Sequence, residues 1–243
     1  MRSRKIAWLG IAWAAVLGSV LALYLFRPFL ALPSPAKVAC LDPSAGRFVP
    51  LPEPREVFGL GLSYAGHIAE SPGLYEPGEP PPVFRKGRRA GNRSDEIPIP
   101  DRGTVFATLS ALDSENAATL GRRFEEIPLL LDYEVEIGLS VLEAFEVSAL
   151  RERSFVPPLG YFVSNDVTAR IFLGMAPAFD GVVEYLAAGK SLPGFLPVGA
   201  TLWVPDAAGP DSWVCVDLET RVNGEVRQRA SSSDIILLPR EIL

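Results

Sequence analysis

Apolar positions fall into distinct regimes along the chain. Ile6 to Phe26 is an unbroken run of 21 residues without a charge. As a helix it would rise about 32 Å, which matches the hydrocarbon core of a bilayer. Arg2, Arg4 and Lys5 precede the run, and Arg27 and Pro28 end it. A secretory signal has a shorter apolar core, about 7–15 residues. Residues 1–27 are therefore expected to be a single-pass membrane anchor. A cleaved signal, leaving a secreted or periplasmic domain, and a cytoplasmic protein are the alternatives. The basic residues before the run favour an N-terminus on the inner side.

Residues 28–57 are rich in proline and polar groups and read as a linker and domain edge. Beyond them the pattern changes to short runs of period 2. Leu129 to Ser140 alternates around Tyr133, Val135 and Ile137. Tyr161 to Val163, Thr201 to Val204, Trp213 to Leu218 and Ile235 to Leu238 are further strand-type runs. Asn223-Gly224 between β-prone flanks predicts a hairpin with a type I′ turn. Helical spacing is rarer and covers Tyr64 to Glu70, Ala117 to Glu126 and Asp180 to Ala188. The class reads as α+β with β in the majority. Residues 58–243 form the expected domain.

Composition adjusts this picture in two places. Four of the 23 basic residues lie within the first 27 positions, which leaves 19 basic against 29 acidic groups in the rest. So acidic a surface excludes nucleic acid as a partner, because phosphate binding needs a basic footprint. Cys40 and Cys215 stand 175 positions apart and fit no zinc spacing. Two free thiols are expected, with one disulfide as the alternative for a domain outside the cytosol.

Candidate chemistry is carried by acids. Glu134-Val135-Glu136 on a strand would send both carboxylates to one face. Two such acids are either solvated or bridged by a cation, and hard oxygen ligands favour Mg²⁺, Mn²⁺ or Ca²⁺. Asp166 ends a strand-type run and could supply a third oxygen, or simply cap a turn or helix from residue 167 onward. His67 is the sole histidine, and Glu70 at i+3 on a helix could orient it as a general base. Taken singly, each of these features also has a purely structural explanation.

Their order along the chain resembles the fumarylacetoacetate hydrolase superfamily, from near Phe58 to the last residue. The matching pieces are Gly61-Leu-Ser-Tyr-Ala-Gly-His67-Ile-Ala-Glu70, Pro82-Val-Phe-Arg-Lys86 and Asp132-Tyr-Glu134-Val-Glu136. They continue through Gly160-Tyr-Phe-Val-Ser-Asn-Asp166-Val-Thr-Ala-Arg170, Lys190, Pro197-Val-Gly199 and Arg221 to Gln228. The resemblance implies a mixed β-roll, a homodimer, and a divalent cation on Glu134, Glu136 and Asp166. It also implies a His67–Glu70 dyad that activates water, with Lys86 and Lys190 facing negative charge on the substrate. That substrate would be a small 1,3-dicarbonyl or 2-oxo acid, cleaved or decarboxylated through an enolate stabilised by the cation.

The chain departs from the family pattern at Ser63, where Asn is usual, and at Ile171 and Leu173, where Asp and Gln are usual, so the support around the acids is expected to be thinner. Family members also continue past the position of Leu243 with a Thr-Gly-Thr-Pro segment. The expectation is thus a C-terminally shortened member: an enzyme, or alternatively a catalytically weak membrane-tethered scaffold that keeps the fold.

Overall fold

The computed structural model describes residues 33–70, 79–94, 96–122, 128–176 and 181–243. The chain divides into units 1–33 and 34–243, and every described strand and helix lies in the second. The expected membrane segment, Ile6 to Phe26, lies outside the described residues. Among the described residues no helix is long and apolar enough to cross a membrane.

The strands in chain order are β1 (Ala39–Cys40), β2 (Gly46–Pro50), β3 (Val57–Leu60), β4 (Val83–Lys86), β5 (Gly91–Asn92), β6 (Leu131–Asp132) and β7 (Val135–Val141). They continue with β8 (Leu159–Asn165), β9 (Thr168–Ala169), β10 (Leu196–Pro197), β11 (Thr201–Pro205), β12 (Ser212–Trp213), β13 (Asp217–Val222) and β14 (Glu225–Ser231). The helices are α1 (Ala65–Glu70), α2 (Arg102–Leu112), α3 (Ser114–Gly121), α4 (Ile171–Met175), α5 (Val182–Lys190) and α6 (Pro239–Ile242).

The largest sheet has the order β2-β11-β8-β7, with antiparallel neighbours throughout. Its central strand β8 carries three consecutive buried positions, Leu159, Gly160 and Tyr161. Gly160 is required there, since a Cβ would stand 2.7 Å from the Leu202 side chain of β11. Tyr161, Trp203 and Trp213 pack with Leu41, Leu159, Val214 and Ile235 into one core. A second core joins the helices: Val105 and Leu109 of α2, Ala117 of α3, Phe172 and Met175 of α4, and Tyr185 of α5. Val167 and Ala169, just beyond the end of β8, belong to this helical core. Residues 166–169 are therefore held at the seam between sheet and helices.

Several expectations change in detail. Residues 39–50, read as linker and domain edge, supply β1 and the sheet-edge strand β2. The run Leu129 to Ser140 breaks at Tyr133 and Glu134 into β6 and β7, because β6 pairs with β9 whereas β7 pairs with β8. Trp213 to Leu218 likewise divides. The buried Ser232 hydroxyl donates to the Val214 carbonyl (2.6 Å) and accepts the Val216 N–H (2.8 Å), so this backbone is satisfied without a ladder. Ile235 to Leu238 is not a strand. Ile235 makes one bridge, to Tyr64, and Pro239 then opens α6. Helix α2 has no counterpart among the expectations, although Asp101 caps it through the Thr104 N–H at 2.7 Å. The hairpin is as expected: Asn223 (φ 53°) and Gly224 (φ 84°) join β13 to β14.

The free-thiol expectation is corrected. Cys40 and Cys215 form a disulfide. The parallel pairing of β1 with β12 sets Cys40 opposite Trp213, two residues from Cys215, and no local sequence pattern announces such a pairing. The bond closes a loop spanning 175 positions. Protein purified without reductant should show no titratable thiol. Cys40→Ser should lower unfolding stability by about 2–4 kcal/mol, read as a lower Tm, through the freed unfolded chain. An unchanged melting curve after reduction would contradict this role.

Candidate functional site

The site is assembled from ends of elements. Strand β4 alternates exposed and buried positions, so Phe84 and Lys86 point inward while Val83 and Arg85 face solvent. Asp166 comes directly after β8, and its N–H donates to the Glu134 carbonyl at 2.8 Å. The Asn165 side chain accepts the Glu134 N–H at 3.0 Å, and Gln228 of β14 accepts the Val135 N–H at 2.8 Å. These bonds fix the backbone on either side of Glu134. Lys190 is the last residue of α5. It reaches the acids because Gly189 has no side chain, since a Cβ there would lie 2.7 Å from the Ala169 carbonyl oxygen.

Lys190 Nζ donates to Glu134 Oε2 at 2.5 Å and to Asp166 Oδ2 at 2.7 Å. Lys86 Nζ donates to Asp166 Oδ1 and, at 3.1 Å, to the Phe195 carbonyl. Arg170 donates through its terminal nitrogen to Glu134 Oε1 and through Nε to Asp132 Oδ2 at 2.9 Å. Lys86, Lys190 and Asp166 retain only 3%, 4% and 9% of their exposure. Charges so buried persist only as hydrogen-bonded pairs. Burial pulls the Lys86 ammonium below its usual range, against the opposing pull of Asp166.

Glu136 differs. It is partly buried, and no described residue donates a hydrogen bond or ion pair to its carboxylate. Burial first, then the charges of Glu134 and Asp166, push its carboxyl up to about 8. Burial, with the Glu136 charge adding to it, also raises the Tyr64 phenol. Tyr64 directly precedes α1, so that helix begins on the Glu136 side of the site.

The structure thus brings together Lys86, Lys190, Glu134, Glu136 and Asp166 of the residues read from sequence. It does not join His67 to Glu70: both are exposed on α1 and make no hydrogen bond to each other. Arg170, Asn165, Gln228 and Gly189 complete the arrangement. Sequence reasoning gave them no role, although Asn165, Arg170 and Gln228 stand inside the segments that carry the family resemblance. Among the described residues, no three His, Cys, Asp or Glu side chains already converge as cation ligands. The ammonium of Lys190 lies between two of the carboxylates instead. The donor chemistry nevertheless suits a hard cation: Glu134 and Asp166 share one ammonium, and Glu136 is near enough for their charges to raise its carboxyl.

The domain that carries this seam belongs to a known class. The chain is a member of the fumarylacetoacetate hydrolase family: the model for the fumarylacetoacetate (FAA) hydrolase C-terminal region matches residues 56–243. It is 28% identical over 195 residues to oxaloacetate tautomerase YisK of Bacillus subtilis (strain 168), covering 80% of this chain and 54% of that protein. A solved structure from Mycobacterium abscessus, of a probable 2-hydroxyhepta-2,4-diene-1,7-dioate isomerase, superposes with a TM-score of 0.50 at 25% identity, covering 80% and 57%. A fumarylacetoacetate hydrolase family protein from Yersinia pestis CO92 shares the fold, with a TM-score of 0.51 at 21% identity, covering 79% and 74%. The chain spans about half the length of the first two relatives.

The raised Glu136 carboxyl fixes a sign for pH dependence. Its folded value, about 8, lies above the ordinary 4.5, so the native state holds a proton that the unfolded chain has lost. Stability from this group is full below pH 4.5 and declines as pH rises through 8. In chelator, Glu136→Gln should match wild type near pH 4.5 and exceed it by about 1–3 kcal/mol at pH 8.5. Equal melting temperatures at both pH values would refute the assignment.

Proposed function

We propose that this domain is an enzyme acting on a small 2-oxo or 1,3-dicarbonyl acid through its enolate, with a divalent cation (Mg²⁺ or Mn²⁺) held by Glu134, Glu136 and Asp166. The observation that carries this reading is the buried cluster in which Lys190 and Lys86 converge on Asp166 and Lys190 also holds Glu134, beside Glu136, to which no described residue donates a hydrogen bond. Family membership supports it, as does the tautomerase relative, whose named substrate is a 2-oxo acid. A bound cation would supply Lewis-acid polarisation of the substrate carbonyl. The chain's own part is electrostatic. Lys86 and Lys190 place ammonium groups where the enolate oxygen and a substrate carboxylate gather negative charge. Burial at the seam strengthens those interactions by excluding water.

Within this class, keto–enol tautomerisation fits best. It moves one proton between carbon and oxygen and needs no activated water. Hydrolysis of a C–C bond is the second reading, and it would use the His67–Glu70 dyad. His67 and Glu70 are both exposed and make no hydrogen bond to each other, which favours tautomerisation. The Cys40–Cys215 disulfide supports an oxidising compartment; Ile6 to Phe26, read as an anchor with its N-terminus inside, would place the domain in one.

Two measurements decide. Mg²⁺ or Mn²⁺ should raise the Tm of wild type and leave a Glu134→Ala, Glu136→Ala double mutant unmoved. Enol–keto conversion of oxaloacetate, followed by its ultraviolet absorbance, should fall at least about 100-fold in that mutant. A cation effect that survives in the double mutant would sink the site. Acylpyruvate cleavage abolished by His67→Ala would replace tautomerisation with hydrolysis. Absence of turnover with every 2-oxo acid tried, cation bound, would favour a binding scaffold.

A further inference from the structure

The backbones of the three acids meet at one peptide unit. The Glu134 carbonyl accepts the Asp166 N–H at 2.8 Å. The other end of the same unit, the Val135 N–H, donates to Oε1 of Gln228 at 2.8 Å. Glu136 follows at the second position of β7. A planar peptide moves in place chiefly by turning about the line between its two Cα atoms. Held at both ends it cannot turn, whereas held at the carbonyl alone it can. Its orientation sets ψ of Glu134 and φ of Val135, and so how the Glu134 side chain is aimed relative to Glu136. The preceding unit is fixed separately, because the Glu134 N–H donates to Asn165.

The grip on the Val135 N–H comes from far away in the chain. β7 ends the sheet order β2-β11-β8-β7, so a side chain and not a fifth strand takes this N–H. Gln228 lies 93 positions later, on β14. It is paired across the hairpin with Thr220, whose hydroxyl donates to the same Oε1 at 3.1 Å. The Val135 N–H can only donate, so it selects the oxygen end of the amide, and the Thr220 hydroxyl steadies that end. Thr220 and Gln228 are half-buried, and residues 221–227 between them are all exposed. The pair is thus where the hairpin's exposed tip begins. Neither residue makes a hydrogen bond or ion pair to the charged side chains of the seam.

We propose that Gln228, steadied by Thr220, is a positioning residue: by holding the Glu134–Val135 peptide it sets how Glu134, Glu136 and Asp166 stand relative to one another. Its effect on turnover rests on the reading of the site as an enzyme of 2-oxo acids. Its effect on the acids does not.

The test uses the full chain and three variants. Gln228→Met keeps the length and removes the acceptor. Thr220→Val removes the hydroxyl at constant shape, and Thr220→Ser retains it. Deuterium exchange at the Val135 amide, followed by NMR, should be at least about fivefold faster in Gln228→Met. Thr220→Val should move in the same direction, and Thr220→Ser should match wild type. The carboxyl ¹³C resonances of Glu134, Glu136 and Asp166 should shift in both disruptive variants. With oxaloacetate and Mg²⁺, kcat of enol–keto conversion should fall at least about tenfold in Gln228→Met while KM changes less, because misplaced groups cost rate even when contacts remain. A purely structural bond would lower Tm and leave the resonances and the kcat of folded protein unchanged. Unchanged exchange, unchanged resonances, or an unchanged kcat in an active enzyme overturns the proposal. If wild type converts no 2-oxo acid, the enzyme reading falls alone, and exchange and resonances still decide the positioning. Should Gln228→Met fail to fold, Thr220→Val against Thr220→Ser decides on the same criteria.

Discussion

The double ion pair of Lys190 with Glu134 and Asp166 is the contact on which the site depends. It ties the end of α5 to the turn before β7 and to the residue after β8, three places far apart in sequence. Taking charges this deep costs several kcal/mol per ion unless each is paired. The pairing is possible only because the two cores meet here. The helical core holds Val167 and Ala169, the sheet core holds Leu159 and Tyr161, and Asp166 stands between them. Gly189 then lets α5 press onto the Ala169 backbone. Stability and chemistry are thus served by the same few contacts. A substitution at Gly189 would disturb the charges without touching any of them.

How much of this is legible in the chain depends on distance in sequence. Glu134 and Glu136 are visible because period 2 is local, and the Asn223-Gly224 turn is visible for the same reason. Asp166 is visible as the polar end of an apolar run. Lys86 and Lys190 are not signalled by any local pattern. Their partner Asp166 is 80 and 24 positions away, and only the resemblance of ordered segments to a known family singled them out. The disulfide is hidden in the same way, because it depends on a two-residue parallel pairing of β1 with β12. Helix α2 was missed for the opposite reason. Its cap, Asp101, is local, but Thr104, Val105 and Thr108 are β-branched and weaken the helical signal. His67 and Glu70 illustrate a motif whose spacing was right for a helix while the helix leaves both side chains in solvent.

Charge balance explains why Glu136 stands apart in the cluster. The acids Glu134, Glu136, Asp166 and Asp132 face the cations Lys86, Lys190 and Arg170. One negative charge is in excess, and it falls on Glu136, the acid to which no described residue donates a hydrogen bond. Neutrality is then reached by protonating Glu136, which is what its raised carboxyl expresses. A divalent cation held by Glu134, Glu136 and Asp166, as proposed, would more than supply the missing unit and remove the need for that proton, and the unit of positive charge then in excess would favour an anionic substrate.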